Sequence, residues 1–245
     1  MNRFFFSLVV MCFCFGFSLN AQKTYTLITA ISNYDQNKRP ECGDLPMTTE
    51  TAKELKVILE KQSSSIAMLT GRNANHDNFL AKLRSLCAAA GPKDRVIIYY
   101  GGHGSPGSLC AWDKDVQFSE IFPIFRRSKA RQIICFIESC YSGSAITDAE
   151  KYNWNTNNCP NLVMFMSSRP NEPSYGDGIM TASGIFGKAL QNGLRGMCDI
   201  DKNRDITVLE LFKYIHAYVK KRTYSNQHPQ LITSPDNYNK KVISW

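Results

Sequence analysis

A cysteine and a histidine, the side chains that combine in nucleophilic catalysis, each follow a strongly apolar segment of this sequence. Residues 131–144 read RQIICFIESCYSGS, in which five consecutive apolar residues precede Glu138 and, two positions later, Cys140. Residues 95–107 read RVIIYYGGHGSPG, so that His103 is flanked by glycines. A thiolate attacks carbonyl carbon, and a nearby imidazole can take the thiol proton and later protonate the leaving amine. The pair therefore predicts acyl-enzyme chemistry.

Buried strands must bring these two side chains together. Unbroken apolar runs bounded by polar residues are typical of central strands in parallel sheets, whose carboxyl ends form the ligand-binding edge of α/β folds. The apolar patterns predict further strands at Thr24–Ile31, Ile66–Leu69 and Leu162–Met166, and helices at Thr48–Lys61, Asn75–Ala90, Phe118–Phe125, Gly184–Leu194 and Thr207–Lys221. This alternation predicts an α/β fold with a mainly parallel central sheet and helices on both faces.

A polar, asparagine-rich stretch at Thr147–Pro160 is predicted to be a connection without regular structure. Lys151 is its one basic residue, and it is our candidate for a self-cleavage position.

Residues 1–21 have the composition of a secretory leader. A short basic start, Met1–Arg3, precedes the almost continuously apolar Phe4–Leu19, and the small residue Ala21 follows. We expect a signal peptide cleaved after Ala21 and export to the periplasm or the cell exterior. An uncleaved anchor is the alternative, but an apolar run of about 16 residues is short of the roughly 20 that span a bilayer. We therefore expect no stable membrane anchor, and a single domain at residues 22–245.

The net charge of +8 comes from dispersed basic residues, with small groups at 126–131 and 220–222. No aromatic residues interleave with these groups, which favours solvated helix faces over a nucleic-acid site, and we expect no nucleic-acid partner.

Seven cysteines follow the leader, and an odd number in an exported protein leaves at least one thiol unpaired. There is no CxxC pair, so no structural zinc site is predicted. Cys87 and Cys135 lie in apolar patterns and are interpreted as buried small side chains. The sequence leaves open which disulfides, if any, form among Cys42, Cys110, Cys159 and Cys198.

The segment Asp199–Glu210 matches the calcium-loop pattern D-x-D-x-N-G-x5-E, except that Arg204 replaces the glycine of the sharp turn. This replacement costs calcium affinity for steric and electrostatic reasons. The second interpretation is a capping box, in which Thr207 and Glu210 begin the last helix. The candidate metal ligands are Asp199, Asp201, Asn203, Asp205 and Glu210.

The two catalytic segments resemble those of the caspase-like cysteine peptidases. YYGGHGSPG at residues 99–107 and IESCYSGS at residues 137–144 are similar to the His and Cys motifs of that clan. Glu138 and Ser144 match the legumain branch, whereas Ser139 resembles the metacaspase branch. The similarity covers residues 24–235 and includes SSRPNEPSYG at 167–176, although the Q-A-C-x-G caspase signature is absent. It implies a caspase-like three-layer sandwich.

The same resemblance implies residue roles. Cys140 would be the nucleophile, His103 the general acid/base, and the N–H groups of Gly104 and Cys140 the oxyanion hole. Glu138 would line the pocket for the substrate residue that precedes the cut. A carboxylate there favours Arg or Lys through a charge-assisted contact, or Asn through an amide hydrogen bond.

Further substrate-binding candidates are Ser168 and Ser174. The chain departs from metacaspases at Glu50–Ala52, where Thr51 replaces an aspartate of that family. No arginine follows Ser174-Tyr175 as it does in caspases, so specificity for Asp is not expected.

These observations predict an exported cysteine endopeptidase, a hydrolase acting on protein or peptide substrates after Arg or Lys, or after Asn. The chemistry requires no cofactor, and calcium is predicted only as a ligand of the 199–210 loop. Two alternatives stay open: an inactive binding module with the caspase fold, and a legumain-like transpeptidase or amidase. The oligomeric state is not predicted.

Overall fold

A six-stranded sheet organises the chain. The computed structural model describes residues 21–46, 48–151, 157–176 and 184–245. Its strands are β1 (Thr24–Ala30), β2 (Ser65–Thr70), β3 (Arg95–Gly101), β4 (Gly104–Ser105), β5 (Ser108–Cys110), β6 (Asp115–Gln117), β7 (Gln132–Glu138), β8 (Leu162–Met166), β9 (Asp205–Thr207), β10 (Gln230–Thr233) and β11 (Lys241–Ser244). Its α-helices are α1 (Thr48–Glu60), α2 (His76–Ala89), α3 (Phe118–Arg127), α4 (Ser144–Lys151), α5 (Ile185–Asn192) and α6 (Val208–Arg222).

The main sheet has the strand order β10-β8-β7-β3-β1-β2. Five of its strands run parallel, and only β10 is antiparallel to its neighbour β8. Two small antiparallel sheets, β4-β5-β6 and β9-β11, lie beside it. The predicted α/β fold with a mainly parallel sheet is confirmed.

Helices cover both faces of the sheet, so the sheet is the middle layer of three. Alternate side chains of a strand point to opposite faces, so Val96, Ile98 and Tyr100 of β3 pack with α2 and α3. Ile97 and Tyr99 of the same strand pack with α1, α5 and α6. Because both faces are covered, the whole of β3 is buried, which explains its unbroken apolar pattern.

Side-chain caps begin two of the helices at the positions that the sequence indicates. The Asn75 side chain accepts a hydrogen bond from the Asn78 N–H at 2.9 Å and starts α2. Thr207 and Glu210 form the predicted capping box at the start of α6, where the Glu210 carboxylate accepts from the Thr207 N–H at 2.9 Å.

The prediction of an irregular connection at Thr147–Pro160 is wrong in its first part. Residues Ser144–Lys151 form α4, which places Ala145 and Ala149 in the core beside α3. Lys151 ends this helix, and residues 152–156 lie outside the described residues. The short strands β4–β6 and β9–β11 were not predicted either, because strands of two to four residues carry too little periodicity to be recognised.

The predicted leader at residues 1–21 falls almost entirely outside the described residues, so its cleavage stays a prediction. Within the described part of the chain, none of the helices combines the length and the apolar character needed to cross a bilayer.

Candidate active site

Parallel pairing of β3 and β7 brings the predicted catalytic residues to one edge of the sheet. Gly101, the last residue of β3, is in register with Glu138, the last of β7. The Gly102 N–H then donates to the Glu138 carbonyl at 3.1 Å. His103 and Cys140, which follow these strand ends, line one pocket of about 290 Å³.

The His103 ring is oriented by a backbone carbonyl. Its Nε2 lies 2.8 Å from the Gly43 carbonyl oxygen, which can only accept, so Nε2 carries the proton. Nδ1 therefore keeps the lone pair that can take a proton from a thiol. The ring also packs against Tyr34 at a centroid distance of 5.2 Å. Gly43 was missed by the sequence analysis, because a carbonyl that acts through its position has no side-chain signal.

Two buried tyrosines hold the His103 backbone. The His103 N–H donates to the Tyr34 hydroxyl at 2.6 Å, and the Tyr100 hydroxyl donates to the His103 carbonyl at 2.7 Å. Burial raises the pKa of both phenols well above the usual range, so they stay neutral. The histidine is thus fixed at its ring and at both backbone polar groups.

The Gly104 N–H is directed away from the hairpin that follows His103. The Cys110 N–H donates to the His103 carbonyl at 3.1 Å, so these two residues form a hydrogen-bonded pair. In an antiparallel ladder the next pair, Gly104 with Leu109, is then a non-bonded pair. A Cβ at Gly104 would come within 2.5 Å of the Cys140 carbonyl oxygen, so only glycine permits this approach to residues 139–143. We call these residues, which carry the predicted nucleophile Cys140, the nucleophile turn.

The Cys140 thiol is half-buried, and its described hydrogen bonds are with the backbone of Ser174. The Ser174 N–H donates to Sγ at 3.3 Å, and the Ser174 carbonyl oxygen lies 3.9 Å from Sγ. Tyr141, the next residue, has a left-handed backbone with φ 56°, and its N–H donates to the Glu172 carbonyl at 2.9 Å. The segment Ser167–Gly176 therefore packs directly against the nucleophile turn.

Ser168 does not lie where the prediction of a substrate-binding residue requires. Its side chain is fully buried, and its hydroxyl donates to the Ser139 carbonyl at 3.2 Å. The Ser168 N–H donates to the Ser142 hydroxyl at 3.1 Å. Ser168 thus stabilises the nucleophile turn through these hydrogen bonds and does not line the pocket. Ser174 does line the pocket.

A buried glutamine that the sequence analysis missed anchors this segment. The Gln227 side-chain amide donates to the Ser167 carbonyl at 2.8 Å and to the Ser174 hydroxyl at 3.2 Å. Its oxygen accepts from the Tyr175 N–H at 2.9 Å. Gln227 lies in a polar stretch with no periodicity, so nothing in the local sequence indicates that it is fully buried.

Glu138 presents a carboxylate in the wall of the pocket although its side chain is only 9 % exposed. One oxygen accepts from the Tyr99 hydroxyl at 2.6 Å, and the other accepts from the Gly187 N–H at 2.8 Å. Burial raises the pKa of this carboxyl, and the two hydrogen bonds oppose the rise. No Lys or Arg of the described residues forms an ion pair with it.

Small residues leave room for this carboxylate. A Cβ at Gly184 would overlap the Glu138 carboxylate, and one at Gly187 would lie 2.5 Å from it. Thr51 also lines the pocket, and its buried hydroxyl has no hydrogen-bond partner among the described residues. Thr51 is the residue that replaces the metacaspase aspartate, so the described lining residues of the pocket supply one carboxylate where that branch implies two.

The loop predicted to bind calcium brings only part of its ligand set together. Carboxylate oxygens of Asp199, Asp201 and Glu210 lie within 4.8 Å of one another. Asp205 instead accepts from the Ser244 hydroxyl at 2.6 Å. Arg204 takes the left-handed backbone, φ 67°, that the pattern assigns to glycine.

Asn203 is the fifth candidate ligand, and its side-chain amide donates to Asp201 at 2.8 Å. None of the five residues lines the active-site pocket.

Comparison with known proteins supports the resemblance. A family model described as the caspase domain matches residues 23–239 of this chain. Human (Homo sapiens) legumain is 29 % identical over 124 residues, an alignment that covers 43 % of this chain and 26 % of legumain. The vacuolar-processing enzyme delta-isozyme of Arabidopsis thaliana is 32 % identical over 71 residues, covering 27 % of this chain and 15 % of that protein. The chain therefore spans about a quarter of the length of the legumains it matches.

Two solved structures share the fold over most of the chain. Caspase-1 from Spodoptera frugiperda superposes with a TM-score of 0.67 at 16 % identity, covering 86 % of each chain. A protein from Geobacter sulfurreducens gives a TM-score of 0.67 at 15 % identity, covering 91 % of this chain and 98 % of its own. At these identities the superpositions establish the fold alone, and they confirm the predicted caspase-like sandwich.

Proposed function

This chain belongs to the caspase-domain family, and we propose that it is a cysteine endopeptidase that cleaves after Arg or Lys. The observation that carries the proposal is the pocket shared by His103, Cys140 and Glu138. It contains a nucleophile, an oriented base and a carboxylate without a cationic partner among the described residues.

The reaction follows from the orientation of these groups. Nδ1 of His103 takes the thiol proton while Nε2–H stays on the Gly43 carbonyl, and the Cys140 thiolate attacks the peptide carbonyl carbon. The N–H groups of Gly104 and Cys140 stabilise the tetrahedral oxyanion. His103 then protonates the leaving amine, and water attacks the acyl-enzyme with His103 as the base.

Cleavage after a basic residue follows from the electrostatics of the pocket. Ionised Glu138 is desolvated and has two neutral hydrogen-bond donors, Tyr99 and Gly187, as its described partners. A substrate guanidinium or ammonium supplies the missing positive charge in a region where charge pairs are strong. An Asn amide supplies only a dipole, so we rank Arg and Lys above Asn.

The experiment that tests the proposal is hydrolysis of matched fluorogenic peptides that differ only in Arg, Lys, Asn or Asp at the scissile residue. We expect hydrolysis after Arg and Lys, and none by Cys140→Ala. Glu138→Gln keeps an acceptor for the Gly187 N–H, so the fold should persist while kcat/KM for Arg falls about 100-fold or more. A preference for Asn that Glu138→Gln leaves unchanged would contradict the basic specificity.

The remaining alternatives give different outcomes in the same system. A transpeptidase or amidase would transfer the acyl group to an added amine in preference to water. An inactive binding module would hydrolyse nothing, and a peptidyl electrophile would label Cys140 slowly and without sequence preference.

We also propose that the protein is exported through residues 1–21. Amino-terminal sequencing of protein recovered outside the cytoplasm should begin at Gln22. Recovery of an intact Met1 from the membrane fraction would contradict this and favour an uncleaved anchor.

A further inference from the structure

Two cysteines without a catalytic role flank the groups that position His103. Cys42 directly precedes Gly43, whose carbonyl holds Nε2 of His103 at 2.8 Å. The Cys110 N–H donates to the His103 carbonyl at 3.1 Å. The Tyr100 hydroxyl joins the same unit, because it donates to the carbonyls of both His103 and Cys110, at 2.7 and 2.8 Å. Cys42 is therefore connected to the His103 ring through its neighbour Gly43, and Cys110 is connected to the His103 carbonyl through its own N–H.

The two side chains share one buried site. Cys42 and Cys110 are 4 % and 2 % exposed and belong to the same core cluster. Glu41 lies 3.8 Å from the Cys42 sulfur and is bonded to Arg39, whose guanidinium also reaches Asp115 at 2.8 Å. Asp115 is the β-sheet partner of Cys110, so Arg39 connects the segment that carries Cys42 to the hairpin that carries Cys110. The neighbouring Cys110 side chain also opposes the rise in the pKa of Cys42 that burial causes.

The surroundings do not suit these thiols for catalysis or metal binding. Burial raises the pKa of Cys110 to about 11 and also raises the pKa of Cys42, so both are protonated at neutral pH. The one group of potential metal ligands among the described residues is Asp199, Asp201 and Glu210, which includes neither cysteine. With catalysis and metal binding set aside, these two buried thiols of one core cluster are candidates for a cross-link that forms before they are buried.

We propose that Cys42 and Cys110, which are thiols in this structure, form a disulfide in the mature protein. The bond would join the irregular segment 31–46 to the hairpin β4–β6 and so fix the Gly43 carbonyl behind His103. It goes beyond the proposed peptidase function, because it assigns a modification to residues outside the catalytic set. Cys140 stays reduced.

Cys42 and Cys110 are oxidised by thiol–disulfide exchange during folding, before their side chains are buried. One cysteine thiolate attacks the disulfide of a dithiol carrier or of glutathione disulfide, and forms a mixed disulfide while one carrier thiolate leaves. The second cysteine thiolate then attacks the sulfur of the first and releases the other carrier thiolate. The two cysteines lose two electrons and two protons in all, and the carrier gains both.

Peptide mapping without reduction tests the pairing directly. The protein is equilibrated in a glutathione and glutathione disulfide buffer, its free thiols are alkylated, and it is digested with trypsin. Trypsin yields peptides 39–53 and 96–114, each with a single cysteine, Cys42 or Cys110. We expect these two peptides to be covalently linked and the Cys140 peptide to be alkylated. Alkylation of Cys42 and Cys110 in the unreduced sample would overturn the proposal.

Variants separate a cross-link from simple packing. If the bond exists, Cys42→Ala and Cys110→Ala should each lower the melting temperature by about 5–10 °C. The double variant should lie close to the single variants, because no cross-link is left for the second substitution to break. Additive losses would overturn the proposal. Cys198→Ala, a buried thiol on the opposite face of the sheet, is the control for lost packing. Mapping and melting need no turnover, so they remain informative if the peptidase proposal fails.

Discussion

Two opposing effects act on the pKa of the Glu138 carboxyl. Burial favours its neutral form and raises its pKa, while Tyr99 and the Gly187 N–H favour the ionised form. The ionised side chain is the one that would bind a substrate cation under the proposed function. Under the proposed function, a basic substrate would offset the cost of ionising this buried carboxyl.

We predict that discrimination between Arg and its neutral isostere citrulline depends on the ionisation of Glu138. The ratio of the two kcat/KM values cancels the titration of Cys140 and His103. Because the pKa of Glu138 is raised, this ratio should fall on acidification at a higher pH than an exposed glutamate would give. A ratio that is constant with pH, or one that still varies in Glu138→Gln, would contradict the assignment.

The raised pKa of Glu138 also makes the free energy of unfolding depend on pH. The folded protein favours protonated Glu138, so its contribution to the free energy of unfolding is present at low pH and is lost as pH rises through the raised pKa.

A substitution at Gly184 tests whether the Glu138 carboxylate needs the space that this glycine leaves. A methyl group at this position would overlap Glu138, so Gly184→Ala must displace the carboxylate or fill the pocket. We expect kcat/KM for Arg substrates to fall about 100-fold with the fold retained, because a displaced anchor loses its oriented contact. Gly91→Ala is the matched control, since its Cβ would make an ordinary contact of 3.5 Å with Asp94. Equal kinetics in the two variants would contradict the role of Gly184.

Among the secondary-structure elements, β3, β7 and the first turn of α5 position the site. The strands end in register and present His103 and Cys140 together. The first turn of α5 donates the Gly187 N–H to Glu138, so the positive end of the helix dipole faces the carboxylate. The segment Ser167–Gly176 completes the pocket and depends on Gln227 for its anchorage.

We predict that Gln227→Leu is destabilising and impairs substrate binding. The substitution keeps the approximate volume but leaves the buried Ser167 carbonyl and the part-buried Tyr175 N–H without their Gln227 partner. Each loss costs about 1–3 kcal/mol, so we expect the free energy of unfolding to fall by roughly 2–5 kcal/mol. Urea denaturation and KM measure the two effects. Gln230→Leu, a half-exposed position on β10, is the control, and an equal loss there would contradict the prediction.

At the scale of the whole molecule, residues 242–245 form hydrogen bonds both to the main sheet and to the 199–210 loop. The Trp245 indole N–H donates to Asp199 at 3.0 Å, and Arg95 donates to the Val242 carbonyl at 3.0 Å. Gln62 donates to the Ser244 carbonyl at 2.9 Å. A ligand of the loop would therefore act on global stability.

We propose that the loop binds calcium weakly, through Asp199, Asp201 and Glu210. Asp205 is engaged by Ser244, and Arg204 adds a positive charge, so we expect a Kd in the millimolar range. A calcium concentration about ten times that Kd should raise the melting temperature by a few degrees. Asp201→Asn should abolish the rise, and an equal rise with magnesium would contradict a calcium site.

Local pattern was sufficient for most of the fold. Buried strands of a parallel sheet are rich in apolar and β-branched residues, so β1, β3, β7 and β8 were predictable from their local sequences. The strand β10 was not, because its four residues are half-buried and pair at the edge of the sheet. The helix α4 was missed because only Ala145 and Ala149 mark its buried face.

The sequence by itself determined which chemistry this protein carries, because the thiol, the imidazole and the carboxylate are side chains placed directly after recognisable strands. Only the tertiary structure decided how they are held. The Gly43 carbonyl behind His103, the Gly187 N–H on Glu138 and the Gln227 amide under Ser174 are contacts between distant segments. Two of them use backbone groups, which every residue possesses, and all three depend on where the chain folds back.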